Sequence, residues 1–143
     1  MIRNVLVTLI VAGCSQAPPD GAGWGPLAVD DSQEGGEALI HGTLRVNDEC
    51  VLLEERGVEV LLVWPADRTR WNQAARTITV RSRGVEITVG DGNRVVVVGG
   101  GSSAGEGGLP SDRWIDSMDW VARPSDECLR DVRWFVAGVD VPQ

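Results

Sequence analysis

The chain has 143 residues and a formal net charge of −8, from 13 basic and 21 acidic side chains. This length suits one small domain with a short appendage. The acidic balance disfavours nucleic acid as a partner, because nucleic acid is held mainly by cationic side chains that neutralise its phosphates.

The first fourteen residues have the pattern of a secretory signal. Arg3 supplies a positive charge, residues 5–11 form an apolar run, and Ala12 and Gly13 are small residues that precede Cys14. The apolar run is too short to span a bilayer. We therefore expect residues 1–13 to be a signal peptide; the alternative is a buried N-terminal strand that leaves Cys14 a spectator thiol.

The tetrapeptide at residues 11–14, ValAlaGlyCys, resembles the lipobox of bacterial lipoproteins. The resemblance implies that the Cys14 thiol receives a diacylglycerol carrying fatty acids such as palmitate, and that cleavage leaves Cys14 as the first residue. It also implies a lipid anchor on the extracytoplasmic side of a membrane in the cell envelope. Because Ser15 rather than Asp follows, the family rule places the protein in the outer membrane if the organism has two membranes.

Residues 15–37 are rich in Pro, Gly and small polar side chains and have no sustained apolar period. This composition predicts a flexible tether after the lipidated cysteine, over residues 14–37. A single β-domain is then predicted over residues 38–139, with a short C-terminal tail at 140–143.

The first half of this domain alternates apolar and polar residues, as strands do. A strand is predicted from residue 38 to 46, in which Gly42 indicates a bend or a close backbone approach. Turn residues at 47–49 lead into a return strand at 50–53. Residues 58–64 are apolar on both faces and predict a central strand, which Pro65 ends because it lacks a backbone donor.

The second half contains three β-branched runs at residues 77–80, 85–89 and 94–98, separated by turn residues, which predicts an antiparallel meander. Residues 66–76 have weak helical periodicity and predict one or two helical turns. Residues 99–108 are a Gly-rich stretch predicted to be a surface loop, because the Lys and the Ser or Thr of a phosphate loop are missing.

Residues 109–124 predict a loop or short helix that packs a Trp against the body of the domain, and the last strand is predicted within residues 128–139. These elements predict an all-β fold, a small antiparallel barrel of the OB type with one short helix or loop insertion. A β-sandwich is the alternative fold.

With Cys14 assigned to lipid, Cys50 and Cys128 remain as a pair in an exported domain, so we expect a disulfide between them. The alternative is a catalytic thiol activated by His41, the only histidine. The cysteine and histidine spacings do not fit a zinc site, and the AspGlyAsn at 91–93 fits a turn better than a calcium loop. No metal or cofactor is expected.

Residues 42–139 also resemble a group of small uncharacterised bacterial lipoproteins, through the segments AspGluCysValLeuLeu, LeuLeuValTrpPro and ValGlyAspGlyAsnArgVal with a late cysteine. That resemblance implies one compact β-domain stapled by Cys50 and Cys128. It implies no particular activity.

These observations favour a non-enzymatic binding or structural domain of the cell envelope, with an envelope protein as one class of partner. The first alternative is recognition of carbohydrate or peptidoglycan, because exposed Trp rings stack on sugars. The candidates for such a surface are Trp64, Trp71, Trp114 and Trp120. The second alternative is a cell-wall hydrolase that uses Asp116 and Asp119 as its carboxylate pair.

Overall fold

The computed structural model describes residues 22–31, 36–103 and 108–142. Residues 1–21, including the predicted signal peptide, Cys14 and the first third of the predicted tether, lie outside the described residues. The described part is built from ten strands, one helix and short 3-10 turns at Ala22–Trp24, Ala66–Arg68 and Asp126–Cys128. The strands and helix are β1 (Ala28–Asp30), β2 (Ala38–Val46), β3 (Val51–Glu55), β4 (Val58–Pro65), β5 (Thr69–Asn72), β6 (Thr77–Ser82), β7 (Val85–Gly90), β8 (Arg94–Ser103), α1 (Ser111–Ser117), β9 (Trp120–Ala122) and β10 (Val132–Asp140).

Five of these strands close into a barrel in the order β2-β3-β4-β10-β8, with β8 pairing back to β2. Four of the pairings are antiparallel, and the fifth, between β4 and β10, is parallel and sets Val60 beside Val132. Numbered along the chain, the barrel strands follow the order 1-2-3-5-4-1 of an OB-type barrel. The predicted small all-β barrel is therefore confirmed, although it contains one parallel pair.

Closure of the barrel depends on a change of partner within β2. Its first half pairs with β8 and its second half with β3, and the two ladders overlap at Thr43. A Cβ on the neighbouring Gly42 would lie 2.6 Å from the carbonyl oxygen of Glu54. The close backbone approach predicted for Gly42 is thus present, where the strand passes from one partner to the other.

The central strand is β4, as predicted, and it is buried from Val60 to its end at Pro65. Because strand side chains alternate, β4 supplies two apolar layers. Val60, Leu62 and Trp64 belong to the core inside the barrel, whereas Leu61 and Val63 belong to a second apolar cluster on its outer side.

One end of the barrel is closed by a separate three-stranded sheet in the order β5-β6-β7. Its Ile78, Val80 and Val89 join the interior core. The helical turns predicted over 66–76 are wrong beyond the 3-10 turn at Ala66–Arg68, because β5 pairs with β6 and fixes the segment as a strand. The meander prediction holds for β6 and β7 only.

The third run of that predicted meander, β8, does not pair with β7 and belongs to the barrel. The turn before it binds β2 directly, since the backbone N–H of Gly92 donates to the carbonyl of Leu44 at 2.7 Å. The carboxylate of Asp91 accepts from the N–H of Val46 at 2.8 Å. This turn is therefore a structural joint between two sheets, which sequence spacing alone does not reveal.

The Gly-rich stretch is a strand, not a loop, as far as Ser103, where β8 ends. A Cβ on Gly99 would clash with the carbonyl oxygen of Phe135, and one on Gly101 would lie 2.7 Å from the ring of Trp134. Glycine is needed at both positions because β10 and its indole pack directly on the backbone of β8. Residues 104–107 lie outside the described residues.

The predicted tether ends earlier than its composition indicates. Leu27, Ala28 and Val29 are all at most 2 % exposed, and β1 pairs with β4 and with β9. The tether prediction is therefore wrong for residues 22–31. The short apolar run LeuAlaVal between Pro and Asp residues is too brief to show periodicity, so only the tertiary contacts identify it as part of the core.

Candidate functional site: the outer face of the barrel

OB-type barrels bind ligands on the outer face of their second and third strands, between the loops that flank them. In this chain those strands are β3 and β4, with β10 beside them. Their outward side chains, Leu52, Leu61, Val63 and Phe135, form an apolar surface with the parallel β4–β10 pair at its centre. This face is therefore where an OB-type barrel is expected to have its binding site.

The face is covered by the chain itself. Helix α1 places Trp114 and Ile115 on it, and both are at most 5 % exposed. The Trp114 ring meets Phe135 edge-on at 6.4 Å and Trp120 edge-on at 5.5 Å, between ring centroids. Such edge-to-face pairs each stabilise by about 1 kcal/mol beyond their buried area.

Trp120 packs against Trp114 and binds α1, the helix that covers this face. Its indole N–H donates to the carbonyl of Ile115 at 2.7 Å, which satisfies a carbonyl near the end of α1. The short-helix prediction for residues 109–124, with a Trp packed on the barrel, is therefore confirmed. The consequence for function is that no ligand reaches this face while α1 is in place.

A buried guanidinium lies under the cover. Arg133 is 1 % exposed, stacks on the ring of Trp114 at 4.6 Å, and donates to the carbonyl of Leu109 at 2.9 Å and to the Oγ of Ser102 at 3.3 Å. Burial lowers the pKa of Arg133, and the charge of Asp131 opposes that effect. These contacts join β10 and β8 to the segment that leads into α1.

The far end of the cover is stapled by the predicted disulfide between Cys50 and Cys128, with Cα atoms 5.4 Å apart. It joins the turn before β3 to the segment between β9 and β10. The bridge spans 78 residues, and closing so long a loop stabilises the fold by about 4.5 kcal/mol on the chain-entropy account. The disulfide prediction is confirmed, and the catalytic-thiol alternative is wrong because both sulfurs are consumed.

The two cysteines end matching tetrapeptides that sequence inspection could have found. Residues 47–50 read AsnAspGluCys and residues 125–128 read SerAspGluCys. In each, the first side chain accepts hydrogen bonds from the backbone, through Asn47 Oδ1 to the N–H of Cys50 at 2.8 Å and through Ser125 Oγ to the N–H of Glu127 at 3.4 Å. The disulfide therefore brings two similar acidic turns together.

This pairing sets Glu49 against Glu127. A side-chain hydrogen bond with Glu127 raises the pKa of Glu49, and repulsion from the charge of Glu127 and then from that of Asp48 acts in the same direction. Both glutamates are exposed. The pair therefore gives the surface beside the disulfide a protonation-dependent contact.

The four Trp residues predicted to form a ligand surface are dispersed. Trp64 is fully buried inside the barrel, and Trp114 is buried under the cover, so neither is available for stacking on a sugar. Trp71 is half-buried against Gly25, and Trp120 is half-buried with its N–H occupied. The predicted stacking surface of four rings is therefore wrong, because most of this aromatic area serves packing.

The carboxylates of the hydrolase hypothesis are both exposed. Asp116 pairs with Arg123 at 3.1 Å, and Asp119 lies beyond the end of α1. A general acid of this kind needs apolar surroundings that keep it protonated near neutrality. Neither residue has them, so the structure gives the hydrolase hypothesis no support.

His41 lies exposed on β2, beside a shallow basin of about 510 Å³. The basin is lined by polar and charged side chains of both signs, including Glu54, Glu55, Arg56 and Arg94. Glu54 already pairs with Arg45 at 3.3 Å. This mixed-charge surface suits a polar partner better than an apolar small molecule.

The described residues contain neither a candidate metal site nor a candidate transmembrane helix. Over residues 22–31, 36–103 and 108–142, no group of three or more His, Cys, Asp or Glu side chains is placed to hold a metal ion. Within the same ranges, no helix combines the length and the apolar character needed to cross a bilayer.

The comparisons with known proteins also identify no relative. No protein-family model matches the chain, and neither the curated proteins nor the solved structures contain a significant match.

Proposed function

We propose that the protein is a lipid-anchored lipoprotein of the cell envelope, attached through Cys14, whose OB-type domain has a non-enzymatic structural or partner-binding role. The observation that carries the proposal is the buried Cys50–Cys128 disulfide in a chain that also has the ValAlaGlyCys pattern at residues 11–14. Stable disulfides belong to oxidising compartments outside the cytosol. The signal pattern and the disulfide therefore support the same location by independent chemistry.

Because α1 covers the outer face, the domain is poorly suited to bind a ligand in the way that OB-type barrels usually do. Oligonucleotides and oligosaccharides bind such barrels on the face that Trp114 and Ile115 occupy here. The net charge of −8 adds to the argument against nucleic acid. A rigid body with a closed ligand face fits a domain that presents its remaining surface to another envelope protein.

The lipid anchor is tested by labelling the native host with an alkyne fatty acid and analysing the mature N-terminus by mass spectrometry. We expect label on the wild-type protein, a mature chain that begins at Cys14, and fractionation with membranes. Cys14→Ser should lose both the label and the membrane association. A wild-type protein with an intact leader and no acyl group would refute the anchor.

The partner-binding role is tested with a photo-crosslinking amino acid in place of His41, beside the mixed-charge basin. We expect a discrete crosslinked product with an envelope protein in the native host. The matched control carries the same amino acid at Arg83, on the exposed β6–β7 turn, and should give none. Equal or absent crosslinking at both positions would contradict partner binding at the basin.

A further inference from the structure

The N-terminal end of the described domain is fixed to one pole of the barrel. The N–H of Leu27 donates to the carbonyl of Trp24 at 3.1 Å, and residues 27–30 are buried. Trp24 and Trp71 both pack against the interior core while remaining partly exposed. The Trp71 indole lies against Gly25, where no larger residue would fit. The attachment point is therefore rigid as far back as Trp24.

Three segments meet at this end, which we call the N-terminal pole: residues 24–27, the turn at 47–50 and the turn at 72–76. A basin of about 420 Å³ is lined by Gly25, Leu27, Asp48 and Glu49, which places the first two segments side by side. Arg76 donates to Asp48 at 2.7 Å and joins the third. The β3–β4 turn lies at the other end of β3, about 17 Å away for a strand of five residues.

The chain between the proposed anchor and this pole is short. Only residues 15–21 separate Cys14 from Ala22. Eight residue steps reach at most about 29 Å even when fully extended. A domain of roughly 120 residues has a radius of gyration of about 14 Å and so a diameter of about 35 Å. The anchor therefore cannot reach across the domain, so the N-terminal pole cannot be the end of the domain that points away from the bilayer.

The side chains at this pole suit the headgroup layer. Half-exposed Trp residues are favoured at membrane interfaces, where the ring is amphipathic and its N–H stays in polar surroundings. Trp71 has this arrangement, since its N–H donates to Gln73 at 2.8 Å while its ring borders Gly25. Asp48 and Glu49 add exposed carboxylates, which anionic lipids would repel.

We propose that the N-terminal pole is a membrane-contacting surface that rests on zwitterionic lipid headgroups, with Trp24 and Trp71 at the interface. The inference rests on the proposed lipid anchor at Cys14. The proposed contact gives the domain one orientation on the membrane. In that orientation the basin beside His41 does not face the bilayer, and a partner can reach it.

The test uses the chain from Cys14 onward, labelled with ¹⁵N and coupled through Cys14 to a maleimide lipid in phosphatidylcholine nanodiscs. Cys14 is the only free thiol, because the other two cysteines form the disulfide. Gadolinium-chelating lipids then broaden amide resonances near the headgroups. We expect the amides of residues 72–76 to relax at least about tenfold faster than those of Arg56 and Gly57, because the turn at 56–57 lies about 17 Å beyond the 47–50 turn of the N-terminal pole.

Two variants distinguish contact of the N-terminal pole with the bilayer from tethering through Cys14 alone. Ala74→Glu at the pole should weaken the broadening of the 72–76 turn, whereas Val58→Glu, an exposed position at the start of β4 opposite the far end of β3, should leave it unchanged. Adding phosphatidylglycerol to the discs should also weaken it. Equal broadening of both turns, or a pattern that Ala74→Glu leaves intact, would overturn the proposed contact, and stronger broadening with phosphatidylglycerol would overturn its zwitterionic preference.

This result is independent of the native anchor, because the lipid is attached chemically. If the native protein carries no acyl group, the proposed function fails whatever the nanodiscs show. If the native protein is acylated but the two turns broaden equally, the function stands and this orientation fails.

Discussion

Removing the Cys50–Cys128 bridge should destabilise the domain mainly through its unfolded state. Both cysteines are replaced by Ala, which removes the crosslink and introduces no buried polar group. With 78 residues between the two positions, the chain-entropy relation gives about 4.5 kcal/mol. That is a large fraction of the roughly 5–15 kcal/mol by which small domains are stable.

The measurement is equilibrium urea unfolding followed by Trp fluorescence. With a urea m-value of about 1.5 kcal/mol/M, the expected loss lowers the midpoint by about 3 M. The m-value itself should rise, because an unfolded chain without the crosslink exposes more surface. Wild-type protein under a reductant that opens the buried bridge provides the matched control and should unfold at the same midpoint as the double variant.

The refuting result is a midpoint shift well below 1 M with an unchanged m-value. The bridge would then add little beyond the contacts that already hold α1 on the barrel, and the entropic reasoning would be wrong for this loop. A large shift with a decreased m-value would indicate instead that the reduced protein no longer unfolds in two states.

Gly99→Ala should cost about 1–3 kcal/mol in urea unfolding because its Cβ would clash with the carbonyl of Phe135, whereas the neighbouring Gly100→Ala, whose Cβ would meet only Gly36 at 3.8 Å, should change stability by less than about 0.5 kcal/mol. Equal costs would show that the β8–β10 approach is not the constraint. Arg133→Ala should destabilise by about 2–4 kcal/mol, since it empties a packed site and leaves the carbonyl of Leu109 without its donor; an effect under 1 kcal/mol would contradict that role. The folded-state pKa of Glu49 is raised, so protonated Glu49 stabilises the folded state below about pH 4, and this stabilisation is lost as the pH rises through the folded-state pKa. Because Gln resembles the protonated carboxyl group, Glu49→Gln should raise Tm at pH 7 but not at pH 3.5. A Tm gain of equal size at both pH values would exclude the interaction with Glu127 as its cause.

Sequence patterns predicted most of the barrel because its strands follow local rules. The alternation around Gly42, the doubly apolar run of β4 and the turn at residues 47–49 each reflect a constraint within a few residues. The disulfide was also predictable, since the signal-like pattern at residues 1–14 predicts an exported chain and assigns Cys14 to lipid, which leaves two cysteines to pair. The helical turns predicted over residues 66–76 failed because weak periodicity yielded to pairing with β6.

The candidate site was much less predictable. Whether a Trp is a ligand platform or a packing element depends on which face of the sheet it meets, and the sequence around Trp114 and Trp120 does not show that the first is buried and the second half-buried. The covering of the outer face by α1 depends on contacts between residues that lie far apart in sequence, such as Trp114 with Phe135. The repeated AspGluCys turns were visible in the sequence, but only the disulfide sets Glu49 against Glu127.

The sequence by itself determined the barrel strands, the cysteine pair and the expectation of an anchor at Cys14, because each rests on short-range chemistry. Only the tertiary structure decided that β1 belongs to the core, that β8 pairs in the barrel and not with β7, and that the outer face of the barrel is covered by α1. Those outcomes depend on which distant surfaces bury one another. The free energy gained by burying apolar surface depends on the area removed from water and not on the order of residues along the chain.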